Sequence, residues 1–398
     1  MSKASVPLAI AMILIICGNV SCRQQPAERV EDHEGTATAT PAELTEEYWP
    51  TEEWMTSSPE AQGMDSQELV RLLDYIHDSR VAIRSLLVVR HGYLVLEAYA
   101  PPVGPDTPQP IYSCTKSLTS ALVGIALEKG YLASIRQPLL DFFPDRPYAN
   151  SDPRKRSITL ENLLTMTSGV DWWELVAFDS RNTLMQMERA ADWVQFILDR
   201  PLSADPGARW NYNSGDAHLF SAIVQEKSGK TLADLATENL FTPLGITSVS
   251  WPADSQGVSF GYRGVYMTAR DMARFGYLYA REGMWDGRRV LSAEWVKEST
   301  AKRVAAMFGQ GYAYLWWVPP FGGHAANGFQ GQRILVIPEQ DLVVVITAAI
   351  ESQAMMTEPE YLMNRFILPA VKSAEPLAEN RASAEELGAR VKAFGRLS

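Results

Sequence analysis

The stretch IYSCTKSLTSALVGIALEKG carries a serine and a lysine three positions apart at the start of an apolar run. Positions i and i+3 lie on the same face of an α-helix, so Ser113 and Lys116 would hold a hydroxyl and an amine side by side. A serine becomes a strong nucleophile when a neighbouring base takes its proton. The same two letters also occur in ordinary helices that begin with a serine and carry one solvated lysine. Other parts of the chain must decide between these two interpretations.

Two further stretches could complete a catalytic site. GARWNYNSGDAHLF places Tyr212 after a Pro206-Gly207 turn and just before a helix pattern. A tyrosine there could carry a proton if a nearby ammonium lowers its pKa, or it could anchor a loop as an aromatic side chain. In AANGFQGQRILVIP, a glycine-containing turn stands at the head of an apolar strand. Glycine at such a place lets a ligand approach the backbone, so that N–H groups can bind an oxyanion.

The residues before this region predict a helix and a hairpin. In MDSQELVRLLDYIHDS, Asp65 and Glu68 form a capping-box pattern at the start of an amphipathic helix. The apolar stripe of that helix consists of Leu69, Leu72, Leu73 and Ile76. The stretch IRSLLVVRHGYLVLEAYA is typical of two strands joined at His91-Gly92, with glycine supplying a positive φ. His91 is therefore interpreted as a turn residue rather than a base.

The helix that Ser113 opens is predicted to end near Gly130, and its apolar stripe consists of Leu118, Ala121, Leu122 and Ile125. From there to about Leu244, helix patterns alternate with loops in TLENLLTMTSG, AADWVQFILDR, DAHLFSAIVQEKSG and TLADLATENLF. Strand patterns return in YAYLWWV, RILVIP and LVVVITAAI, and YLMNRFILPAV is a last helix candidate. Strands early and late around a helical insertion predict an antiparallel sheet built from both chain ends, with helices on its faces.

Composition excludes several classes of protein. With 398 residues, 46% of them hydrophobic, the chain can bury a large core, which excludes an intrinsically disordered protein. The formal net charge of -11 and the lack of a basic patch in the sequence argue against nucleic-acid binding. The sequence contains no H-E-x-x-H motif, no cysteine–histidine cluster and no G-x-G-x-x-G motif. We therefore expect no metal, no cofactor and no nucleic-acid partner.

The first residues predict an export signal. A single lysine, Lys3, precedes an uncharged run from Val6 to Ile16 and small residues up to Cys22, as in a secretory leader. The run is shorter than the roughly 20 apolar residues of a transmembrane helix. NVSC resembles a relaxed bacterial lipobox with Cys22 as the lipidated residue, although the usual leucine is an asparagine here, so cleavage without lipidation is an alternative. Residues 23–50, polar and without periodicity, are predicted to be a flexible tether.

The order of the motifs along the chain gives a resemblance. S-x-x-K at Ser113, Y-x-[NS] at Tyr212 and [KHA]-x-G at Ala326 resemble the motifs of the serine β-lactamase and penicillin-binding-protein superfamily. More narrowly, four stretches are similar to the β-lactamase-related hydrolases, which include class C β-lactamases, family VIII esterases and 6-aminohexanoate-dimer hydrolases. These stretches are LENLLTMTSGVDW, YNSGD, YMTARDMARFGYLYAREGMWDGRRVLSAEWV and GFQGQRILVIPEQDLVVV. The likeness runs from about Trp54 to Ile367.

This resemblance implies a β-lactamase/transpeptidase-like fold of the α/β (α+β) class. Its antiparallel sheet is built from both chain ends and flanked by helices, and a mostly helical subdomain is inserted between the two sets of strands. The chain then divides into a leader at 1–22, a tether at 23–50, a serine hydrolase domain at 51–373 with the helical subdomain at about 131–245, and a C-terminal tail at 374–398.

The resemblance also implies an acyl-enzyme mechanism. Ser113 would be the nucleophile at a helix N-terminus, where the helix dipole favours developing negative charge. Lys116 would keep its amine close and lower the pKa of Tyr212, and either Lys116 or Tyr212 would take the serine proton, a role that is disputed across the superfamily. Backbone N–H groups of Ser113 and Phe329 would form the oxyanion hole.

Contacts with the substrate are implied for Ser214, Asn327 and Gly328. Ser214 stands where many relatives have asparagine. Trp172, Trp173 and Glu174 follow the TSGVD loop and either line the substrate cleft or pack a helix corner.

Ala326 occupies the position of the lysine in the K-T-G motif, so the usual cation for a β-lactam carboxylate is missing. Arg333 could replace that cation, or it could be a structural charge on the strand. We therefore expect an exported, periplasmic serine hydrolase that cleaves small ester or linear amide bonds and touches a membrane only through a lipid anchor. The alternatives are a β-lactamase, a penicillin-binding or D-alanyl peptidase-like protein acting on cell-wall peptides, and a binding protein that forms a stalled acyl-enzyme.

A second serine motif is present. GVSFG matches the G-x-S-x-G motif of α/β-hydrolases, and Ser259, Asp286 and His324 follow in the order of the triad of that fold. A nucleophile elbow needs a buried strand before the serine and a helix directly after it. WPADSQ before the motif is not a strand pattern, and YRGVYM separates the motif from the helix start at Thr268. We therefore predict that Ser259 is not a nucleophile.

Overall fold

The computed structural model of the protein describes residues 48–174, 179–351 and 357–395. The predicted leader, the predicted lipidation site at Cys22 and all but the last three residues of the predicted tether lie outside the described residues. Within these ranges, no helix combines the length and the apolarity that crossing a membrane requires.

The strands of the described residues are β1 (Ile83–Arg90), β2 (Tyr93–Tyr99), β3 (Gln109–Pro110), β4 (Tyr266–Met267), β5 (Met284–Trp285), β6 (Arg288–Arg289), β7 (Val304–Ala305), β8 (Gly311–Tyr312), β9 (Trp317–Val318), β10 (His324–Gly328), β11 (Gln332–Ile337) and β12 (Leu342–Ala348). The helices are α1 (Ser66–Asp78), α2 (Thr115–Glu128), α3 (Leu160–Leu164), α4 (Thr183–Arg189), α5 (Trp193–Asp199), α6 (Ser214–Ser228), α7 (Leu232–Ala236), α8 (Ala269–Ala280), α9 (Ala293–Thr300), α10 (Glu358–Leu362), α11 (Leu368–Ala370) and α12 (Arg381–Ala393). Short 3₁₀ or π turns extend several of them.

An eight-stranded antiparallel sheet joins the two ends of the folded chain. Its strand order is β2-β1-β12-β11-β10-β9-β8-β7. The early strand β1 lies directly beside the late strand β12, and Val89 pairs with Val343. β1 and β2 are joined at His91 and Gly92, whose φ angles of 49° and 84° are both positive, as a two-residue hairpin turn requires. The predicted sheet and the predicted role of His91 in a turn are confirmed.

Helices cover both faces of this sheet. Side chains alternate along β1, so Leu86 and Val88 belong to a core that includes residues of α1, α10 and α12. Leu87 and Val89 belong to the core on the other face, which includes residues of α2, α6 and α8. Because both faces are buried, the central strands are continuous apolar runs rather than alternating ones.

The inserted helices pack around α6, and the start of α6 is well capped. The Asn213 side chain accepts hydrogen bonds from the backbone N–H groups of Gly215 at 2.8 Å and Asp216 at 3.2 Å. Asparagine is a preferred N-cap residue because its oxygen satisfies helix N–H groups that have no partner within the helix. The cap fixes the backbone directly after Tyr212.

Two details of the predicted helices differ from the structure. Asp65 caps α1 by accepting from Gln67 N at 2.9 Å, but Glu68 does not return a bond to complete the predicted capping box. The Asp65 N–H donates instead to Ala370 O at 2.8 Å, and Glu68 pairs with Arg71 at 2.7 Å. A tertiary contact therefore replaces the local one.

Helix α2 is buried on every side and not only along the predicted stripe. Residues from its first turn to Ala126 are all buried, since α2 packs against β10, α6, α7 and α9. The predicted C-terminal tail also contains a helix, α12, which packs on α1 and β2 and buries Leu387. α12 has only a short apolar surface, so its periodicity gives little signal.

Two glycines within helices should respond in opposite ways to alanine. A Cβ on Gly124 of α2 would lie 2.3 Å from Trp295 Cδ1 of α9, whereas a Cβ on Gly388 of α12 would meet nothing within 4 Å. We expect Gly124→Ala to destabilise the fold by about 1 to 3 kcal/mol through overpacking. Gly388→Ala should stabilise it by up to about 1 kcal/mol through helix propensity. Urea denaturation of both variants measures the difference, and equal effects would contradict the packing of α9 on α2.

Candidate active site

The backbone that carries Ser113 is held in a tight turn. Ser113 lies in a 3₁₀ turn, Tyr112–Cys114, that runs directly into α2. Tyr112 has φ of 48°, a left-handed conformation that costs free energy for a residue other than glycine and that clusters at functional sites. The Cys114 thiol donates to Ala326 O at 3.3 Å, which ties the turn to β10.

Lys116 lies beside Ser113, as the sequence predicts. Its Nζ is 3.1 Å from Ser113 Oγ and donates to Tyr262 O at 3.1 Å. Only 2% of the residue is exposed. Burial disfavours the charged amine and lowers the pKa of Lys116 to about 8, although the nearby carboxylate of Glu174 opposes this. The amine is therefore mostly protonated at pH 7, and the minor neutral fraction, which grows as the pH rises toward 8, is able to accept a proton.

Tyr212 also reaches this pair. Lys116 Nζ lies 4.7 Å from the centre of the Tyr212 ring, and the ring packs against Trp210 and Trp317. Burial raises the pKa of Tyr212, and the negative charge of Glu174 raises it further, while a hydrogen bond with Ser113 lowers it. The expectation of a lowered pKa for Tyr212 is wrong, since the pKa is raised and burial is the largest cause. The phenol is therefore protonated in the resting enzyme.

The segment predicted to complete an oxyanion hole lies next to the nucleophile turn. A Cβ on Gly328, the last residue of β10, would lie 2.4 Å from Ile111 O, so only glycine allows this approach. Phe329 follows, and its ring meets Tyr112 edge-on with the ring centres 5.6 Å apart. The Tyr112 hydroxyl donates to Gln330 Oε1 at 3.1 Å. These contacts hold the turns of Ser113 and Phe329 side by side, and the two N–H groups remain the predicted oxyanion donors.

The structure separates the two interpretations of Arg333. Its guanidinium is buried, forms an ion pair with Glu360 of α10 at 2.9 Å and donates to Gly328 O at 3.2 Å. Arg333 is thus a structural charge that fixes the end of β10. Ala326 is fully buried, and Asn327, half-buried, has a side-chain oxygen without a hydrogen-bond partner among the described residues.

Glu174 organises the other wall of the site, and its contacts with Ser214 go beyond the predicted cleft or packing role of the segment that follows the TSGVD loop. It accepts hydrogen bonds from Ser214 N at 3.0 Å, from Ser214 Oγ at 2.7 Å and from the indole N–H of Trp172. Trp172 is 3% exposed and packs against Gly215, so it lies in the core and reaches the site through Glu174. Trp173 is half-buried beneath the Arg181 guanidinium and keeps more surface for a ligand.

The second serine motif does not assemble a site. Ser259 is buried and accepts from Ala233 N at 3.3 Å, while the buried imidazole of His324 packs on Trp316 with the ring centres 4.9 Å apart. Burial lowers the pKa of His324 to about 3. Asp286 lies in the β5–β6 hairpin, and among the described residues no hydrogen bond joins it to Ser259 or His324. The prediction that Ser259 is not a nucleophile agrees with this geometry.

No group of three or more His, Cys, Asp or Glu side chains in the described ranges is arranged to hold a metal ion.

Comparison with known proteins assigns this chain to a family. The Beta-lactamase family matches residues 75–362. The 6-aminohexanoate-dimer hydrolase of Paenarthrobacter ureafaciens is 24% identical over 286 residues, which are 66% of this chain and 71% of that protein. Esterase EstB of Burkholderia gladioli is 26% identical over 209 residues, 47% of this chain and 53% of the esterase.

The fold is also that of solved relatives. A candidate 6-aminohexanoate-dimer hydrolase from Bacillus anthracis superposes with a TM-score of 0.66 at 20% identity, covering 80% of this chain and 86% of that one. With its sheet, its helices and its family match over more than half of its length, this chain belongs to the β-lactamase family and is a serine hydrolase of the esterase and amide-hydrolase type.

Proposed function

We propose that the protein cleaves small ester or linear amide bonds through an acyl-enzyme on Ser113. The observation that carries this proposal is the 3.1 Å contact between Ser113 Oγ and the buried Lys116 amine. A buried amine with a pKa of about 8 is matched to proton transfer near neutral pH. The resemblance implied that either Lys116 or Tyr212 takes the proton, and the protonated phenol of Tyr212 favours Lys116.

In the proposed acylation step, Ser113 Oγ bonds to the carbonyl carbon while its proton passes to the neutral Lys116 amine. The carbonyl oxygen becomes an oxyanion held by the N–H groups of Ser113 and Phe329. When the bond to the leaving group breaks, the leaving group takes a proton from the Tyr212 hydroxyl. The Lys116 ammonium returns a proton to Tyr212. Water then attacks the acyl-enzyme in the same sequence and releases the acid.

The proposed substrate lacks a carboxylate beside the scissile bond. Ala326 is apolar and buried where a cation would meet a β-lactam carboxylate, and the Arg333 guanidinium is engaged by Glu360. The unpartnered oxygen of Asn327 would suit the N–H of a linear amide. The alternatives, a β-lactamase, a cell-wall peptidase or a protein that stalls as an acyl-enzyme, would use the same Ser113. Rates on defined substrates separate them.

Replacing Ser113 tests the nucleophile. Ser113→Ala should abolish covalent labelling by a fluorophosphonate and reduce kcat/KM for a p-nitrophenyl ester by a factor on the order of 10⁴ to 10⁶. Ser259→Ala is the matched control and should leave both nearly unchanged, because Ser259 only accepts a backbone hydrogen bond. Mass spectrometry of a digest locates the label, and a labelled Ser259 peptide would contradict the proposal.

Substrate preference tests the missing cation. A desolvated charge pair with a carboxylate contributes about 2 to 5 kcal/mol when measured by truncation. Without it, kcat/KM should be higher for neutral short-chain esters, or for linear amides with little charge at that end, than for penicillins or cephalosporins. Nitrocefin hydrolysis at ~10⁵ M⁻¹s⁻¹ or faster, together with poor ester turnover, would instead show a true β-lactamase.

Export is a proposal that rests on the first residues alone. The single Lys3, the short apolar run and Cys22 support a mature form anchored to the membrane by a lipid on Cys22, with the enzyme in the periplasm. A chain that starts at about residue 24 should be soluble and equally active. Fractionation and intact-mass measurement in the native host check this, and an uncleaved, unlipidated Met1 would refute it.

A further inference from the structure

The Glu174 carboxylate has contacts that a surface carboxylate does not have. Three donors converge on it, namely the Ser214 backbone N–H, the Ser214 hydroxyl and the Trp172 indole N–H. Two of these donors belong to the first residue of α6, and Tyr212 lies two positions before that residue. Removing Glu174 would therefore leave the N–H and the hydroxyl of Ser214 without their acceptor, while the Asn213 cap of α6 remains.

Charge gives Glu174 a second role. Several charged and titratable groups of the described residues act on the Lys116 amine. They lie in its own turn, in the loop before α4, just before α6 and in the loop after Gly261. They are Cys114, Glu174, Tyr212, Tyr262 and Arg263. Of these, Glu174 has the largest effect that opposes burial of the ammonium, because burial raises the pKa of the Cys114 thiol to about 12 and keeps Tyr212 and Tyr262 protonated. The Arg263 guanidinium acts in the opposite direction.

We propose that Glu174 is a positioning residue of the hydrolase, which holds the start of α6 and Tyr212 against Lys116 and supplies the negative charge that a buried ammonium at Lys116 requires. This inference rests on the proposed acyl-enzyme mechanism. In the resting enzyme the Ser214 hydroxyl donates a hydrogen bond to Glu174, so Ser214 and Glu174 form one hydrogen-bonded unit at the start of α6.

Burial and the Glu174 charge act on the Lys116 amine in opposite directions. Burial lowers the pKa of Lys116 and Arg263 lowers it further, whereas the Glu174 charge is the largest effect that raises it toward the value of about 8. Without the charge, burial acts with less opposition and the pKa of Lys116 falls. The limb of the kcat/KM profile that follows Lys116 must then move to lower pH, since this profile reports the titration of the free enzyme. If neutral Lys116 is the base, that limb rises with pH.

The experiment compares four full-length chains solubilised in detergent: the natural protein, Glu174→Gln, Ser214→Ala and Asp171→Asn. The readout is kcat/KM for p-nitrophenyl butyrate between pH 5 and 10. Glu174→Gln should move the Lys116 limb down by about one unit, the size expected for loss of one charge several ångströms away in a partly buried site. Ser214→Ala keeps the Glu174 charge but removes one hydrogen bond to it. We therefore expect kcat to fall several-fold while the Lys116 limb stays at the same pH.

Asp171→Asn is the matched control. Asp171 lies on the same loop, is half-exposed and pairs with Arg200 at 3.0 Å, so its loss should change neither the limb nor kcat. An equal shift in Asp171→Asn and Glu174→Gln would show a general charge effect and would overturn the proposal.

A further variant separates the charge from folding. If Glu174→Gln lowers the midpoint of thermal unfolding too far for kinetics, Glu174→Asp keeps the charge on a shorter side chain and should retain the natural limb at reduced kcat. An unshifted limb in folded Glu174→Gln, or a shifted one in Glu174→Asp, overturns the role of Glu174 while fluorophosphonate still labels Ser113. Loss of that label from the natural protein would instead overturn the proposed mechanism on which the inference rests.

Discussion

The burial of the Lys116 amine is the constraint on which the rest of the site depends. Moving an ammonium out of water costs several kcal/mol unless partners replace the water. The protein provides the Ser113 hydroxyl and the Tyr262 carbonyl, each at 3.1 Å, together with the face of the Tyr212 ring. These partners hold the amine in place, but they stabilise the charged form less well than water does. The result is a pKa of about 8, at which both the ammonium and the amine are accessible.

The fold brings these partners together from distant parts of the chain. Helix α2 lies between the sheet and the inserted helices, and its buried polar side chains bind the loops that surround Lys116. Thr119 Oγ1 donates to Gly261 O at 2.7 Å, and Ser117 Oγ donates to Leu315 O at 2.9 Å. A Cβ on Gly261 would lie 2.3 Å from Ala217 O of α6, so the loop before Tyr262 touches α2 and α6 at once. The position of the Tyr262 carbonyl is therefore determined by both helices.

Local patterns predicted the elements but not their tertiary partners. The stripe of α1, the hairpin at His91-Gly92 and the apolar strands β11 and β12 follow from periodicity and turn chemistry, which act over a few residues. The Ser113 and Lys116 pair follows from helix geometry for the same reason. The complete burial of α2 could not be predicted in this way, because it depends on four elements that are distant in sequence.

The electrostatics of the site were also beyond the sequence. Tyr212 was expected to have a lowered pKa because an ammonium lies near it, yet burial has the larger effect, and burial is a property of the whole fold. Glu174 follows two tryptophans in a loop, a position typical of a packing corner or a cleft wall. Its contacts with Ser214 span 40 positions of the chain. Only the tertiary structure reveals such a contact.

The Cys114 thiol directly follows the Ser113 hydroxyl in the chain. Cys114 is fully buried, whereas Ser113 is partly exposed. Burial raises the pKa of the Cys114 thiol to about 12, so the thiolate that would compete as a nucleophile does not form. The neutral thiol instead donates to Ala326 O on β10. That strand also bears Gly328 and leads to Phe329, so the thiol helps to set the distance between the two proposed oxyanion donors. The same contact places the apolar Ala326 beside the turn of Ser113. The interface between this turn and β10 therefore underlies the proposed nucleophile, the proposed oxyanion site and the proposed preference for uncharged substrates.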